Sequence, residues 1–275
     1  MKKDKAILKG LAHTEYEHDM DRRTLETLKN TPGLSLMGKY ITRNMVEKMV
    51  KIQYTGSNLK VTKKNYPKIF EKLQYACEIL DISNIPDLYI EWGYDINACT
   101  IGSENPIIIL NSGLIDLCSD DEILFIIGHE CGHIKSNHML YHMMARTINS
   151  SFRFIPFGDI AAEPLRYWLC YWDRMSEFTA DRAGMLCCQN KMAVMQSFVK
   201  MAGLPIKEFD NCDISSFILQ AIDFQDLDEE TMNRLMKFVS IAEENHPWTV
   251  MRAAEILKWI DAQNYQYILD KHSNV

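Results

Sequence analysis

The stretch His129-Glu-Cys-Gly-His133 restricts the fold of this chain more than any other part of the sequence. Ser119 or Asp120 can cap a helix start, acidic residues fill the first turn, and an apolar run without proline leads into the stretch. On a helix, residues four apart lie about 40° apart on one face. The two histidines can therefore direct their rings at one metal ion, while Glu130 lies beside them and is poorly placed to bind it.

This spacing is the zincin signature, in which two histidines bind zinc and the glutamate accepts a proton from a zinc-bound water. The alternative is a helix that carries two histidines and a glutamate by chance. The helix context favours a zinc site, because Gly128 and Gly132 leave room for close packing beside the metal. We therefore predict a catalytic zinc bound by His129 and His133, with Glu130 as the general base.

A third protein ligand is expected, because a catalytic zinc usually takes three protein ligands and one water. Glu177 and Asp181 lie four residues apart on a second predicted helix, Met175–Gly184. Glu177 can bind the metal, and Asp181 can accept the free ring N–H of a ligating histidine. The alternative is a solvated acidic face on which Asp181 pairs with Arg182 or Arg174. Downstream of a zincin signature, the metal-binding interpretation is favoured.

Composition excludes several classes of protein. Of the 275 residues, 47% are hydrophobic and 24% are charged, which is typical of a globular chain. The net charge of −7 argues against nucleic-acid binding through phosphate contacts. The eight cysteines form no Cys-x-x-Cys pair, no apolar run reaches about 18 residues, and the basic N-terminus has no apolar segment after it. We expect a soluble cytoplasmic protein with reduced thiols and no transmembrane segment, and we do not favour peripheral membrane contact.

The order of the predicted elements indicates an α+β protein that is mostly helical. Residues 1–55 are predicted to form an N-terminal helical extension, and residues 56–275 a compact zincin-like domain. Short strands are predicted at 58–62, 87–92, 97–101 and 106–110. They would form a small mixed sheet packed on the zinc helix. Further helices are predicted near 190–202, 214–224, 228–243, 248–261 and 263–271.

An insertion at 134–176 separates the two zinc motifs and is rich in methionine and aromatic residues. It could form an apolar lid, a substrate wall or a membrane-facing surface. We favour helices that pack on the core, because methionine and aromatic side chains are common core fillers. His138 and His142 lie four residues apart in it, without a glutamate at the position that Glu130 holds in the first pair. We interpret them as ordinary helix-face histidines and expect no second metal site.

Several motifs together resemble the CAAX-prenyl-protease/HtpX-like family of gluzincin metallopeptidases. They are His129-Glu-x-x-His133, Glu177-x-x-x-Asp181, Asn97-Ala98 before the motif helix, and His246-Pro247-x-x-x-x-Arg252. The resemblance covers roughly residues 20–260. Many relatives carry transmembrane helices around and between the zinc motifs. Here the apolar stretches of the insertion are too short and too often interrupted by polar residues to span a membrane. The resemblance therefore does not imply prenylated or membrane-protein substrates for this chain.

The resemblance implies a zinc endopeptidase that acts on a peptide or protein substrate. One Zn²⁺ per chain would be bound by His129, His133 and Glu177. An exposed edge strand would bind an extended peptide through its main chain; it consists of Asn97, Ala98, Cys99, Thr100 and Ile101. The family pattern also implies that His246 stabilises the oxyanion and that Arg252 holds the carboxylates of the site or the substrate.

Two other functions stay open at this point. The same helices could hold a structural metal in a non-catalytic protein that captures peptides, or the chain could be an interaction module with latent protease activity. Glu130 argues against a structural metal, because structural zinc sites are closed by four ligands, often cysteines. Cys131 points away from the metal face and does not supply such a ligand. The oligomeric state does not follow from the sequence.

Overall fold

The computed structural model describes residues 5–43, 46–149, 159–226 and 248–273. Within these ranges the chain is mostly helical with one small sheet, so the predicted α+β, zincin-like class is confirmed. The strands are β1 (Leu59–Lys60), β2 (Asp87–Glu91), β3 (Ala98–Ile101) and β4 (Ile107–Asn111). The helices are α1 (Asp19–Lys29), α2 (Leu34–Arg43), α3 (Val46–Ser57), α4 (Pro67–Ile79), α5 (Ser112–Leu117), α6 (Asp120–Lys135), α7 (Met139–Asn149), α8 (Asp159–Cys188), α9 (Lys191–Met201), α10 (Ile214–Asp226), α11 (Thr249–Asp261) and α12 (Asn264–Ser273). The predicted helix at 228–243 lies outside the described residues.

The sheet is mixed, as the sequence predicted, and has the strand order β1-β2-β4-β3. Strand β2 runs parallel to β4, whereas the other two pairs are antiparallel. The inner strand β4 is almost wholly apolar because both of its faces are covered. Strand β3 pairs with β4 on one side and forms an edge of the sheet within the described part of the chain.

Helix α6 runs through the centre of the core. Ser119 caps it through a capping box, in which Glu122 accepts a 2.5 Å hydrogen bond from the Ser119 amide. Residues 122–133 of this helix are all buried. The helix approaches α8 closely: a Cβ atom on Gly128 would lie 2.5 Å from Cys187 Cβ, and one on Gly132 would lie 2.5 Å from Ala183 Cβ. The predicted need for glycine beside the metal motif is therefore confirmed.

The described part of the insertion packs on the N-terminal helices. Helices α7 and α8 share a buried cluster with α1 and α2, made of Leu28, Leu34, Met37, Met143, Met144, Ala145, Leu165, Leu169 and Trp172. The predicted core-packing role of its methionine and aromatic residues is confirmed for these positions. No helix in the described ranges combines the length and apolar character needed to cross a membrane. The predicted division of the chain at residue 55 stays a prediction.

Candidate metal centre

Three buried side chains from α6 and α8 converge at one point. His129 Nε2 and His133 Nε2 lie 3.1 Å apart. Glu177 places Oε2 3.4 Å from His129 Nε2 and Oε1 3.3 Å from His133 Nε2. Ligand atoms about 2.0–2.2 Å from a tetrahedral zinc lie roughly 3.4 Å from one another. The spacing and the chemistry of this donor set therefore suit a zinc ion.

Asp181 fixes the orientation of His129. Its Oδ1 lies 3.0 Å from His129 Nδ1, and the carboxylate is completely buried. A carboxylate only accepts hydrogen bonds, so Nδ1 of His129 carries a proton and Nε2 is the atom that faces His133 and Glu177. Burial by itself would lower the pKa of His129, but the charge of Glu177 and the hydrogen bonds to Asp181 and Glu177 raise it to about 10. The pocket thus strongly favours positive charge at this point.

Arg252 on α11 holds Asp181 through a bidentate ion pair. Its Nε and Nη2 atoms lie 2.8 and 2.6 Å from the two carboxylate oxygens, and Nη2 lies 3.7 Å from Glu177 Oε2. Burial alone would raise the pKa of Asp181, but the Arg252 guanidinium lowers it. Arg182 instead donates to the backbone carbonyls of Tyr16 and Glu17. Because Glu177 and Asp181 are both buried and Asp181 pairs with Arg252, the alternative of a solvated acidic face is wrong.

Glu130 lies on the wall of a cleft that opens beside the donor cluster. The cleft has a volume of about 680 Å³ and is lined by α6, α7, α8, α11 and residues 96–100. Glu130 is buried and its Oε2 accepts a 2.6 Å hydrogen bond from the Thr100 hydroxyl. Its carboxylate lies outside the group of atoms that are close enough to share one metal ion. The sequence indicated that Glu130 stands beside the metal, but it did not reveal the bond to Thr100.

The backbone of β3 presents alternate groups to this cleft. The Asn111 amide donates a 3.0 Å hydrogen bond to the Asn97 carbonyl, so the Asn97 backbone faces β4. In an antiparallel pair the direction alternates along the strand, which turns the N–H and C=O groups of Ala98 and Thr100 away from β4. Consistent with this, Arg146 Nη1 reaches the Thr100 carbonyl at 3.4 Å. The backbone N–H and C=O groups of Cys99 and Ile101 face β4.

The interpretation of His138 and His142 as ordinary helix-face histidines is wrong. Both are buried, and both turn a ring nitrogen towards the metal-ligand candidate His133. His133 Nδ1 lies 3.1 Å from His138 Nδ1 and 3.2 Å from His142 Nε2. Burial and the rings of His142 and His129 hold the pKa of His133 well below its ordinary value, although Glu177 acts in the opposite direction. The only sequence signal was the position of the two residues just beyond the zincin motif.

His246, the predicted oxyanion-side residue, lies outside the described residues. Its role is therefore still a prediction from the resemblance. Six of the other predicted site residues come together within one buried cluster: His129, Glu130, His133, Glu177, Asp181 and Arg252. Of the predicted edge strand 97–101, residues 97–100 line the cleft beside this cluster.

Comparison with known proteins identifies a family of peptidases. The profile of "Peptidase family M48" matches residues 71–260. Over 268 residues the chain is 28% identical to "Plastoglobule-localized metallopeptidase 48, chloroplastic" of Arabidopsis thaliana, which covers 96% of this chain and 78% of that protein. It is 25% identical over 136 residues to "Protease HtpX homolog" of Fusobacterium nucleatum subsp. nucleatum, covering 49% of this chain and 41% of that protein. No solved structure matches the chain significantly.

Proposed function

This chain is a metalloendopeptidase of peptidase family M48, and we propose that it hydrolyses peptide bonds with one zinc ion held by His129, His133 and Glu177. The observation that carries this proposal is the convergence of three side chains: the two histidine Nε2 atoms lie 3.1 Å apart, and each lies 3.3 or 3.4 Å from one of the two carboxylate oxygens of Glu177. These distances suit zinc, and the two imidazoles and one carboxylate match the chemistry of catalytic zinc sites, which keep one open position.

A zinc ion held by His129, His133 and Glu177 would lower the pKa of a bound water and would polarise the scissile carbonyl. Glu130 supplies the proton chemistry. Its Oε2 is engaged by Thr100, so its other oxygen accepts the proton of the attacking water. The protonated carboxyl then delivers this proton to the leaving amine. The hydrogen bond from Thr100 holds the carboxylate in one orientation during both transfers.

Arg252 acts on the carboxylates of the site rather than on the substrate. Only 7% of its surface is exposed, and its guanidinium is engaged by Asp181 and Glu177. Asp181 in turn keeps His129 in the tautomer that binds a metal. We propose this positioning role for both residues and keep His246 as the proposed donor to the oxyanion.

The substrate is an extended peptide that adds to β3. The outward backbone groups of Ala98 and Thr100 lie along the cleft, next to Glu130. An edge strand with no neighbouring strand on its outer side within the described sheet binds a peptide through main-chain hydrogen bonds. The substrate is then a protein or peptide segment without fixed structure, and the cytoplasmic location stays a prediction.

Metal analysis and casein cleavage test this function together. We expect one zinc per chain, cleavage that stops when a chelator removes the metal, and activity that returns with added zinc. Glu177→Ala should lose the metal. A zinc content well below about half an ion per chain, not restored by added zinc, would contradict the proposed ligand set.

The second candidate function, peptide capture without hydrolysis, uses the same strand edge. It predicts that the zinc-loaded protein binds casein but leaves it intact. Activity assays on the metal-loaded wild type therefore separate the two functions.

A further inference from the structure

We propose that His138 and His142 are positioning residues for the zinc ligand His133, and that both accept the hydrogen bond of its Nδ1–H group. The inference rests on the proposed zinc site. It concerns the side of His133 that faces away from the metal, where the structure places two histidines instead of a carboxylate.

The far nitrogen of His138 carries a proton. Its Nε2 lies 3.1 Å from Asp21 Oδ2, and the Asp21 carboxylate is completely buried. Asp21 also accepts hydrogen bonds from Trp172 Nε1 at 2.8 Å and from the Thr179 hydroxyl at 2.6 Å. A carboxylate surrounded by donors is ionised and only accepts, so His138 Nε2 must donate. In the neutral ring the Nδ1 atom of His138 then carries a lone pair, and it is the atom that faces His133.

The same reasoning applies to His142. Its Nδ1 makes a short hydrogen bond to Asp173 Oδ1, so Nδ1 carries the proton and Nε2 is a lone pair. Nε2 lies 3.2 Å from His133 Nδ1. The Ser176 hydroxyl lies 3.3 Å from Nε2, but it donates its own proton to the Asp173 carbonyl at 2.7 Å. No donor in the described surroundings therefore competes with His133 for His142 Nε2.

His133 supplies the hydrogen-bond donor for the two acceptor nitrogens of His138 and His142. When its Nε2 binds a metal, the neutral ring carries its proton on Nδ1. That N–H faces the lone pairs of His138 and His142, at 3.1 and 3.2 Å, and is shared between them. The hydrogen bonds fix both the tautomer and the ring plane of His133, as Asp181 does for His129.

The arrangement also gives the N-terminal segment a function. Asp21 lies on α1, whereas His133 lies on α6, so the chain Asp21–His138–His133 connects α1 to the metal ligand. Asp173 makes the second connection from α8. Both carboxylates act through an intervening neutral ring, which keeps further negative charge away from a site that already holds Glu130, Glu177 and Asp181.

Zinc affinity tests the proposal without relying on activity. The metal-free protein is titrated with zinc in competition with a chromophoric chelator of known affinity. His142→Leu removes one of the two acceptors at nearly constant size, whereas His142→Gln places an amide oxygen near the position of Nε2. We expect His142→Leu to weaken zinc binding by about tenfold to a hundredfold. His142→Gln should restore the affinity to within about threefold of wild type, because both acceptors are then present.

Several outcomes would overturn the proposal. One is wild-type zinc affinity in His142→Leu, and another is equal weakening in the Leu and Gln variants, which would point to ring packing alone. A third is a second zinc ion in the wild type that His142→Leu removes, because the three facing nitrogens would then be metal ligands. If His142→Leu does not fold, Asp173→Ala serves instead. This variant keeps His142 but removes the carboxylate that holds the ring proton on Nδ1. Unchanged zinc affinity in Asp173→Ala contradicts the proposal. A wild type that binds no zinc defeats the proposed function itself.

Discussion

The hydroxyl of Thr100 donates a 2.6 Å hydrogen bond to Oε2 of Glu130. It joins the edge strand β3 to the residue that we propose as general base. Thr100 is only 3% exposed, although its backbone N–H and C=O face the cleft. One residue therefore belongs both to the edge that we propose binds the peptide and to the contact that orients the proposed base.

Removing this hydroxyl should slow catalysis while the fold persists. We expect Thr100→Val to lower kcat/KM about tenfold, because a hydrogen bond to a charged group contributes about 1.5 kcal/mol. Thr100→Ser keeps the donor and should retain most of the activity. Steady-state kinetics on a fluorogenic peptide, with melting temperatures measured in parallel, check this. Wild-type kinetics in Thr100→Val would show that Glu130 needs no orientation by the strand.

Proline substitutions distinguish the two sides of β3. Ala98→Pro removes an N–H that faces away from β4 and that contacts only the Asn97 side chain at 2.9 Å. We expect a lower kcat/KM with a nearly unchanged melting temperature, since an outward N–H supports no pairing with β4. Cys99→Pro is the matched control, because Cys99 faces its partner Ile109 and should lose on the order of 2–3 kcal/mol of stability.

The result that would contradict the edge-strand proposal is also specific. If Ala98→Pro remains folded with wild-type kinetics on peptides of several lengths, no substrate hydrogen bond forms at Ala98. If Ala98→Pro unfolds as readily as Cys99→Pro, the strand is paired on both sides.

The ion pair between Arg252 and Asp181 should contribute to stability as well as to metal binding. Arg252→Met leaves a completely buried carboxylate without its cation, which costs about 3–5 kcal/mol in unfolding free energy. Arg252→Lys keeps the charge but loses the bidentate geometry, and should be affected less. Urea unfolding of the metal-free proteins measures both effects. A Met variant as stable as wild type would contradict the positioning role that we propose for Arg252.

The local part of the fold could be predicted from the sequence. Helix α6 follows from its cap, its apolar run and the spacing of its histidines, all of which lie within 119–135. The strands follow from short apolar stretches between turn residues. These features depend on neighbours along the chain, so periodicity and turn chemistry are enough to find them.

Long-range relationships could not be predicted in this way. Helix α8 begins at Asp159 and includes Pro164, whereas a proline normally suggests a helix boundary. His138, directly before α7, pairs with Asp21 on α1, and all four strands of the described sheet lie between these two residues in the sequence. His138 and His142 were misinterpreted for this reason: local spacing does not show that α1 and α8 supply carboxylates to their far nitrogens.

The proposed mechanism depends on Glu130 as the general base, and peptide hydrolysis by Glu130→Gln tests this role most directly. The amide keeps the size of the side chain and can still accept the hydrogen bond from Thr100, but it cannot take a proton from water. Zinc content and kcat are measured on the same preparations of wild type and variant. We predict an unchanged zinc content with a loss of kcat of at least about 10²-fold. Hydrolysis within about tenfold of wild type at full zinc content would contradict the assignment of Glu130 as the general base.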